Sequence, residues 1–202
     1  YGGMVALNTK VLSIEAGLKS SGQRSIVRTV DLDLSAQWVI NCAGLSAPVL
    51  SIDTPGGPTA YYAKGHYYSY SGAQPFSRLV YPTAEAGGLG VHVTLDLAGQ
   101  VKFGPDVRWI DNADYSFDES HKQDFVAAIK AYFPNLDSER LHPSYTGIRP
   151  KISGPGEPAA DFVLHSPDQH GVVGRINLLG IESPGLTASL AIAEQVELLV
   201  GG

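Results

Sequence analysis

Apolar and polar positions alternate with a period of two in short runs along most of this chain, the signature of half-buried β-strands. Residues 4–15, 24–31 and 36–41 read as three successive strands, turning at Ser20-Ser21-Gly22 and at Leu32-Asp33-Leu34-Ser35. Small residues then carry the chain out of the third strand through Cys42-Ala43-Gly44, and a short helix is predicted over 46–52. A break in composition follows at Pro55-Gly56-Gly57-Pro58. Beyond it, strands are predicted at 61–70, 78–82, 89–94 and 101–104, several of them separated by glycine-containing turns.

The period changes at 118–133. Phe125, Ala128, Ile129, Tyr132 and Phe133 form an apolar stripe at helical spacing, with Asp118 placed to cap the start and Pro134 to stop the run. A strand at 144–150, a polar loop at 153–160, strands at 162–165 and 172–179 and a final helix at 185–200 complete the pattern. The fold class is therefore α+β: a mostly antiparallel, mixed sheet with few helices. The composition break and the late strand–helix pair divide it into 1–54, 55–165 and 166–202.

Composition narrows the function classes. Of the 202 residues 44% are hydrophobic and 17% charged, enough apolar material for a substantial core. The net charge of −6 and the lack of any basic run argue against a nucleic-acid partner or an anionic membrane surface. No apolar run reaches membrane-spanning length. The single cysteine, Cys42, excludes an intrachain disulfide; its apolar setting reads as buried, and a cytoplasmic location fits. Tyr1-Gly2-Gly3 leads straight into the first apolar run without an initiator methionine, so the chain is expected to be a piece of a longer protein.

Four segments carry candidate chemistry. In Leu178-Leu179-Gly180-Ile181-Glu182-Ser183-Pro184-Gly185-Leu186-Thr187 a strand runs through small residues into a helix, whose first N–H groups lack intrahelical partners and suit a carbonyl or an anion. The plainer reading is an ordinary connection capped by Ser183 or Thr187. Tyr145-Thr146-Gly147-Ile148-Arg149-Pro150 places a guanidinium where it can grip a carboxylate with two hydrogen bonds or form a surface ion pair; Lys151 projects to the same face and could add positive potential, but reads first as a solvated lysine. His92, in Gly90-Val91-His92-Val93-Thr94, is either an acid/base or a structural histidine. In Ala63-Lys64-Gly65-His66-Tyr67-Tyr68, alternation puts Lys64, His66 and Tyr68 on one face and Tyr67 on the other. The tyrosines read first as core residues with a hydroxyl at the rim. His121, His142, His165 and His170 make no ligand spacing, so no metal is inferred.

In this order and at these separations, together with Cys42-Ala43-Gly44, the segments resemble the D-amino-acid-oxidase superfamily of FAD-dependent oxidoreductases. Within it the L-2-hydroxyglutarate oxidase/dehydrogenase group is most similar, through Leu79-Val80-Tyr81-Pro82, Gly90 to Thr94 and Lys102-Phe103-Gly104-Pro105-Asp106. The resemblance implies a substrate-binding domain at 55–165 flanked by partial FAD-binding elements at 1–54 and 166–202. It implies that Arg149 holds a substrate carboxylate, with His66 and Tyr68 also near substrate, and that His92 takes a hydroxyl proton as hydride leaves for the flavin N5. Ala43, Gly44, Gly65, Gly180, Gly185, Leu186 and Thr187 fall where the family contacts FAD.

The G-x-G-x-x-G strand–helix motif for the dinucleotide does not occur; Gly87-Gly88-Leu89-Gly90 precedes a strand instead of following one. FAD is thus expected for the parent protein and weakly or not at all for this chain alone. The expected activity is oxidation of a small 2-hydroxy acid, L-2-hydroxyglutarate first. An amine or amino-acid oxidase of the same fold, or a non-catalytic binding domain without its cofactor half, are the alternatives. Apolar positions on the last helix, Leu190, Ile192, Val196 and Leu199, lead us to expect self-association.

Overall fold

The computed structural model describes residues 2–16, 24–83 and 90–201. The turn expected at Ser20–Gly22 and the start of the strand expected at Leu89 lie outside the described residues. The chain folds as two compact units, one of Tyr1–Ala60 with Ala160–Gly202 and the other Tyr61–Ala159.

In the discontinuous unit, three strands make an antiparallel meander: β1 (Val11–Glu15), β2 (Ser25–Thr29) and β3 (Asp33–Ala36). The first strand is shorter than its alternation suggests because Asn8 turns the backbone in the left-handed region, φ 56°. The turn after β2 also comes earlier than predicted. Thr29 closes it by donating from Oγ1 to the Leu32 carbonyl at 2.7 Å, so 33–35, expected within a turn, joins Ala36 in the third strand. Arg28 in the middle of β2 spans the meander, binding Glu15 on one side and Asp33 on the other. Both pairs are solvent-exposed and fix register more than stability.

β4 (Val39–Asn41) leaves the meander and pairs in parallel with β11 (Arg175–Leu179), which also pairs antiparallel with β10 (Val163–His165). Every residue of β11 is buried. Two short helices flank this sheet, α1 (Ala47–Leu50) and α3 (Pro167–His170). The second, missed by periodicity because it is one turn long, is set by a Ser166/Gln169 capping box and ended by Gly171 at φ 74°. The terminal helix, α4 (Gly185–Gly201), is where the pattern places it. Cys42 is exposed, contrary to expectation: β4 ends at Asn41, so strand alternation no longer orients the next side chain.

The continuous unit is built on β5 (Tyr61–Tyr70), ten residues long. Along one edge β5 pairs antiparallel with β9 (Leu141–Lys151) over nearly its whole length. Along the other it pairs with β8 (Arg108–Ile110) at its start and with β7 (Val101–Gly104) at its end, and β6 (His92–Leu95) pairs with β7. Strand β8 was too short to stand out in the sequence. The strand expected at 78–82 reduces to one bridge, Val80 with Val93; Pro82 has no N–H to extend it. The core is Tyr68, Tyr70, Val93, Phe103, Phe125 and their neighbours, closed by α2 (Lys122–Lys130). A short 3₁₀ turn, Glu119–His121, precedes α2, capped by Asp118 accepting from the Ser120 N–H. The Tyr132 hydroxyl just after α2 donates to the Val91 carbonyl at 3.0 Å and so ties the helical segment to the residue before His92.

Candidate functional site

The continuous unit holds a cavity of about 160 Å³ on one face of the β5–β9 pair. Apart from Ile148 of β9, its strand-borne lining on β5 and β9 follows strand parity. Ala63, Gly65 and Tyr67 come from β5, and Gly147, Arg149 and Lys151 from β9, where Arg149 lies opposite Ala63 and Gly147 opposite Gly65. Pro105, Asp106 and Val107, between β7 and β8, close one side, and His92 at the start of β6 reaches the same space.

His92 is 6% exposed. Its Nδ1 lies 3.0 Å from the Gly90 carbonyl. A carbonyl only accepts, so Nδ1 carries the proton and Nε2 of the neutral ring keeps its lone pair. Burial holds the imidazole pKa below its usual 6.5 and the Arg149 charge pushes the same way, while the Gly90 hydrogen bond opposes them. The ring stacks on Tyr81, centroids 4.4 Å apart. Gly90 itself sits at φ 70° with Pro82 against it, which shapes the turn that presents His92.

Tyr67 stacks on Tyr145 at 4.5 Å, forming an aromatic wall. Burial raises the Tyr67 pKa, so the phenol is neutral and a hydrogen-bond donor at physiological pH; the Arg149 charge partly counters that rise. A neutral imidazole acceptor, a neutral phenol and a guanidinium therefore share one small space. Such a set can bind a carboxylate and accept a proton from an adjacent hydroxyl.

Not all the sequence-derived residues meet there. His66 and Tyr68, assigned to substrate, lie on the opposite face of β5, 3% and 1% exposed. Alternation already separated them from Tyr67; the structure puts the cavity on the Tyr67 side. His66 is held by Asp106, whose Oδ1 takes both its backbone N–H at 2.8 Å and its Nδ1 at 2.9 Å, and its ring packs edge-on against Phe117. Lys64 on the same face bonds Asp114 at 3.2 Å. Gly65 does line the cavity, but a Cβ there would come within 2.5 Å of the Pro105 Cβ, so its bareness accommodates the β7–β8 connection.

In the discontinuous unit the residues assigned to cofactor cluster by topology. Ala43 and Gly44 follow the carboxyl end of β4, and Gly180, at φ 69°, follows that of β11, its parallel partner. The exits of parallel strands are where α/β sheets take ligands. Buried amides hold them in register: Asn41 Nδ2 donates to Asn177 Oδ1 at 3.1 Å and to the Ala47 carbonyl at 2.9 Å. Asn177 in turn donates to Thr54 Oγ1 at 3.1 Å, and the Ala43 N–H is received by Asn41 Oδ1. Sequence reasoning missed this network; two asparagines on strands expected to be apolar were the available signal.

At the α4 tip, Gly185 is buried and a Cβ on it would strike Ile181. Its N–H donates to Glu182 and that of Ala188 to Pro184. Helix geometry gives the N–H groups of Leu186 and Thr187 no intrahelical acceptor, and both residues are exposed along an open groove of about 350 Å³ lined by Ile181 to Thr187. Close backbone approach is thus possible at the glycines of the strand exits, and donors are offered at the helix tip: a donor set that fits the carbonyl edge of a flat heterocycle. Elsewhere in this unit His165 and His170 pack against each other at 4.6 Å, both held below their usual pKa by burial, and Arg175 is fully buried against Asp53. Among the described residues no helix is long and apolar enough to cross a membrane.

Residues 1–197 match the DAO family, FAD-dependent oxidoreductases. A mitochondrial L-2-hydroxyglutarate dehydrogenase of Arabidopsis thaliana is 48% identical over 182 residues, which cover 82% of this chain and 38% of that protein. A protein of the same name from Dictyostelium discoideum is 27% identical over 150 residues, 57% of this chain and 33% of that protein. The matched part of the chain thus spans about a third of the length of these curated relatives. In fold it is similar to the FAD-bound L-α-glycerophosphate oxidase of Mycoplasma pneumoniae, with a TM-score of 0.79 and 22% identity, over 96% of this chain and 50% of that one. Glycine oxidase of Geobacillus kaustophilus gives a TM-score of 0.68 at 17% identity, over 96% and 48%.

Proposed function

The chain belongs to the DAO family of FAD-dependent oxidoreductases, and from that premise we propose that it forms part of an enzyme oxidising a small 2-hydroxy acid, with 2-hydroxyglutarate the first candidate. The observation that carries this reading is the shared lining of one cavity by Arg149 and a neutral His92. The guanidinium pairs with the carboxylate of the substrate and fixes its orientation. His92 Nε2 accepts the proton of the 2-hydroxyl as the C2–H bond breaks. Tyr67 donates a hydrogen bond to the oxygen that becomes a carbonyl, and the surrounding apolar wall keeps water from competing. FAD, when bound, supplies the two-electron acceptor. Ala43, Gly44, Gly180, Gly185, Leu186 and Thr187 of the discontinuous unit are the residues we assign to hold it.

The 48% identity to a dehydrogenase of L-2-hydroxyglutarate favours a hydroxy acid over an amino acid. The test is anaerobic flavin bleaching of the full-length protein by a panel of acids. Rapid reduction by a 2-hydroxy dicarboxylate is expected; reduction by 2-amino acids alone, or by no acid, overturns the reading. A single exposed thiol fits a reducing compartment, the cytoplasm and the mitochondrial matrix alike. We further infer that the chain self-associates when expressed alone, because Leu186, Leu190 and Leu198 are 91%, 79% and 68% exposed on α4. A monodisperse monomer by light scattering at high concentration contradicts that.

A further inference from the structure

We propose that Lys151 is the second anionic anchor of the cavity and makes it select a dicarboxylate over a monocarboxylate. The proposal rests on the reading above, in which Arg149 takes the carboxylate beside the reacting carbon. Two cationic side chains line the cavity among the described residues, Arg149 and Lys151. They stand two residues apart on β9, opposite Ala63 and Tyr61 of β5, and so share a face with Cα atoms about 7 Å apart. Four C–C bonds of ~1.5 Å in a zigzag separate the carboxyl carbons of a five-carbon diacid by about 5 Å. The two side chains can therefore each take one end of such a molecule.

Other cations of this unit do not line the cavity. Lys64 is on the far face of β5 with Asp114, and Arg108 bridges Asp106 at 3.1 Å and Asp124 at 2.7 Å. Lys102 lies 3.7 Å from Asp96 and over the Tyr145 ring, and Arg140 is bound to the Ser71 and Ala73 carbonyls. The Asp106 carboxylate, which also borders the cavity, is neutralised by Arg108 and the His66 N–H.

The two cations divide the task by their chemistry. The planar guanidinium sets the angle of the carboxylate next to C2, where a small misorientation would move the hydroxyl away from His92. The ammonium on its flexible stem is a point charge that tolerates a mobile distal carboxylate. Beside them Ala63 and Val107 offer apolar surface for methylene groups. A monocarboxylate lacking the distal carboxyl would leave the ammonium without its charge-assisted hydrogen bond.

The experiment compares wild type with Lys151→Gln, Lys151→Met and Lys151→Arg in the FAD-loaded full-length protein. Glutarate and butyrate, which carry no oxidisable hydroxyl, are titrated by calorimetry, and kcat/KM is measured for 2-hydroxyglutarate and 2-hydroxybutyrate. Loss of one charge-assisted bond predicts glutarate binding weakened roughly 10- to 100-fold in the Gln and Met variants, with butyrate shifted less than about 2-fold. The kcat/KM ratio of diacid to monoacid should fall by the same factor through KM, and Arg should restore most of it. An equal loss on both ligands, or unchanged glutarate binding, overturns the proposal. Should wild type oxidise neither hydroxy acid, the underlying activity fails, while the glutarate titration still decides the role of Lys151.

Discussion

The two faces of the sheet around β5 carry nearly the same chemical inventory and use it in opposite ways. On one side stand a histidine, a tyrosine and a cation: His66, Tyr68 and Lys64. Facing the cavity stand another histidine, tyrosine and cation: His92, Tyr67 and Arg149. The first histidine gives its Nδ1 to the Asp106 carboxylate and packs on Phe117, and its Nε2 is buried with no hydrogen-bond partner among the described residues. The second gives its Nδ1 to a backbone carbonyl and borders a cavity. Residue type cannot separate a structural imidazole from a proton acceptor; the partner on the far nitrogen and the space in front of the near one can.

The largest test of that contrast is His92→Gln, which keeps a polar side chain of similar reach and removes the titratable base. A drop in kcat of about 10²- to 10⁴-fold is expected, with KM for the hydroxy acid little changed. The pH profile sharpens it. The neutral ring is the active form and its pKa lies below 6.5, so kcat/KM of wild type should rise as pH increases through that lowered value and stay level above it. In the variant this acidic limb should vanish. A limb that persists assigns the proton to another group, and the contrast between the faces loses its meaning.

Much of this arrangement was legible in the sequence, for reasons that also explain the failures. The full length of β5 and the terminal helix came out at or near their bounds, and the helix expected over 118–133 is observed as a 3₁₀ turn, Glu119–His121, running into the shorter α2. Alternation alone placed Tyr67 against His66, Tyr68 and Lys64. What one strand cannot reveal is which face looks into a cavity, because that depends on β9, on β6 and on the β7–β8 connection, all distant in sequence. Resemblance brought His66 and Tyr68 forward as substrate contacts; the pairing with Asp106, forty residues away, reassigns His66. Strand β8 and helix α3 are held by partners and caps, leaving little periodicity to read.

A smaller effect should separate two glycines that oppose each other across β5 and β9, Gly65 and Gly147. A Cβ at Gly65 collides with the Pro105 Cβ at 2.5 Å, whereas one at Gly147 has nothing within 4 Å. Gly65→Ala should cost about 1–3 kcal/mol as the β7–β8 connection is pushed aside. Gly147→Ala should leave Tm unchanged or slightly raised, since it restricts the unfolded chain without a clash. Its methyl group enters open space beside Arg149, so it should raise KM severalfold. Thermal melts and steady-state kinetics on both variants check this. If Gly65→Ala is as stable as Gly147→Ala, the glycine is not explained by packing within the unit.

The smallest effect belongs to the far face. The Tyr68 hydroxyl is buried without a hydrogen-bond partner among the described residues, and burial pushes its pKa up to about 12, so it stays neutral at any working pH. Its ring meets Phe117 and Phe125 edge-on at 5.1 and 4.9 Å, contacts that a phenylalanine would keep. Tyr68→Phe should therefore be neutral or stabilising by up to about 1 kcal/mol, because it removes an unsatisfied polar group and no packing. Turnover should stay within about 2-fold of wild type, as the side chain is separated from the cavity by the sheet itself. A loss of tenfold or more in kcat/KM, with Tm intact, would return Tyr68 to the substrate side and show that the parity of β5 had been read the wrong way round.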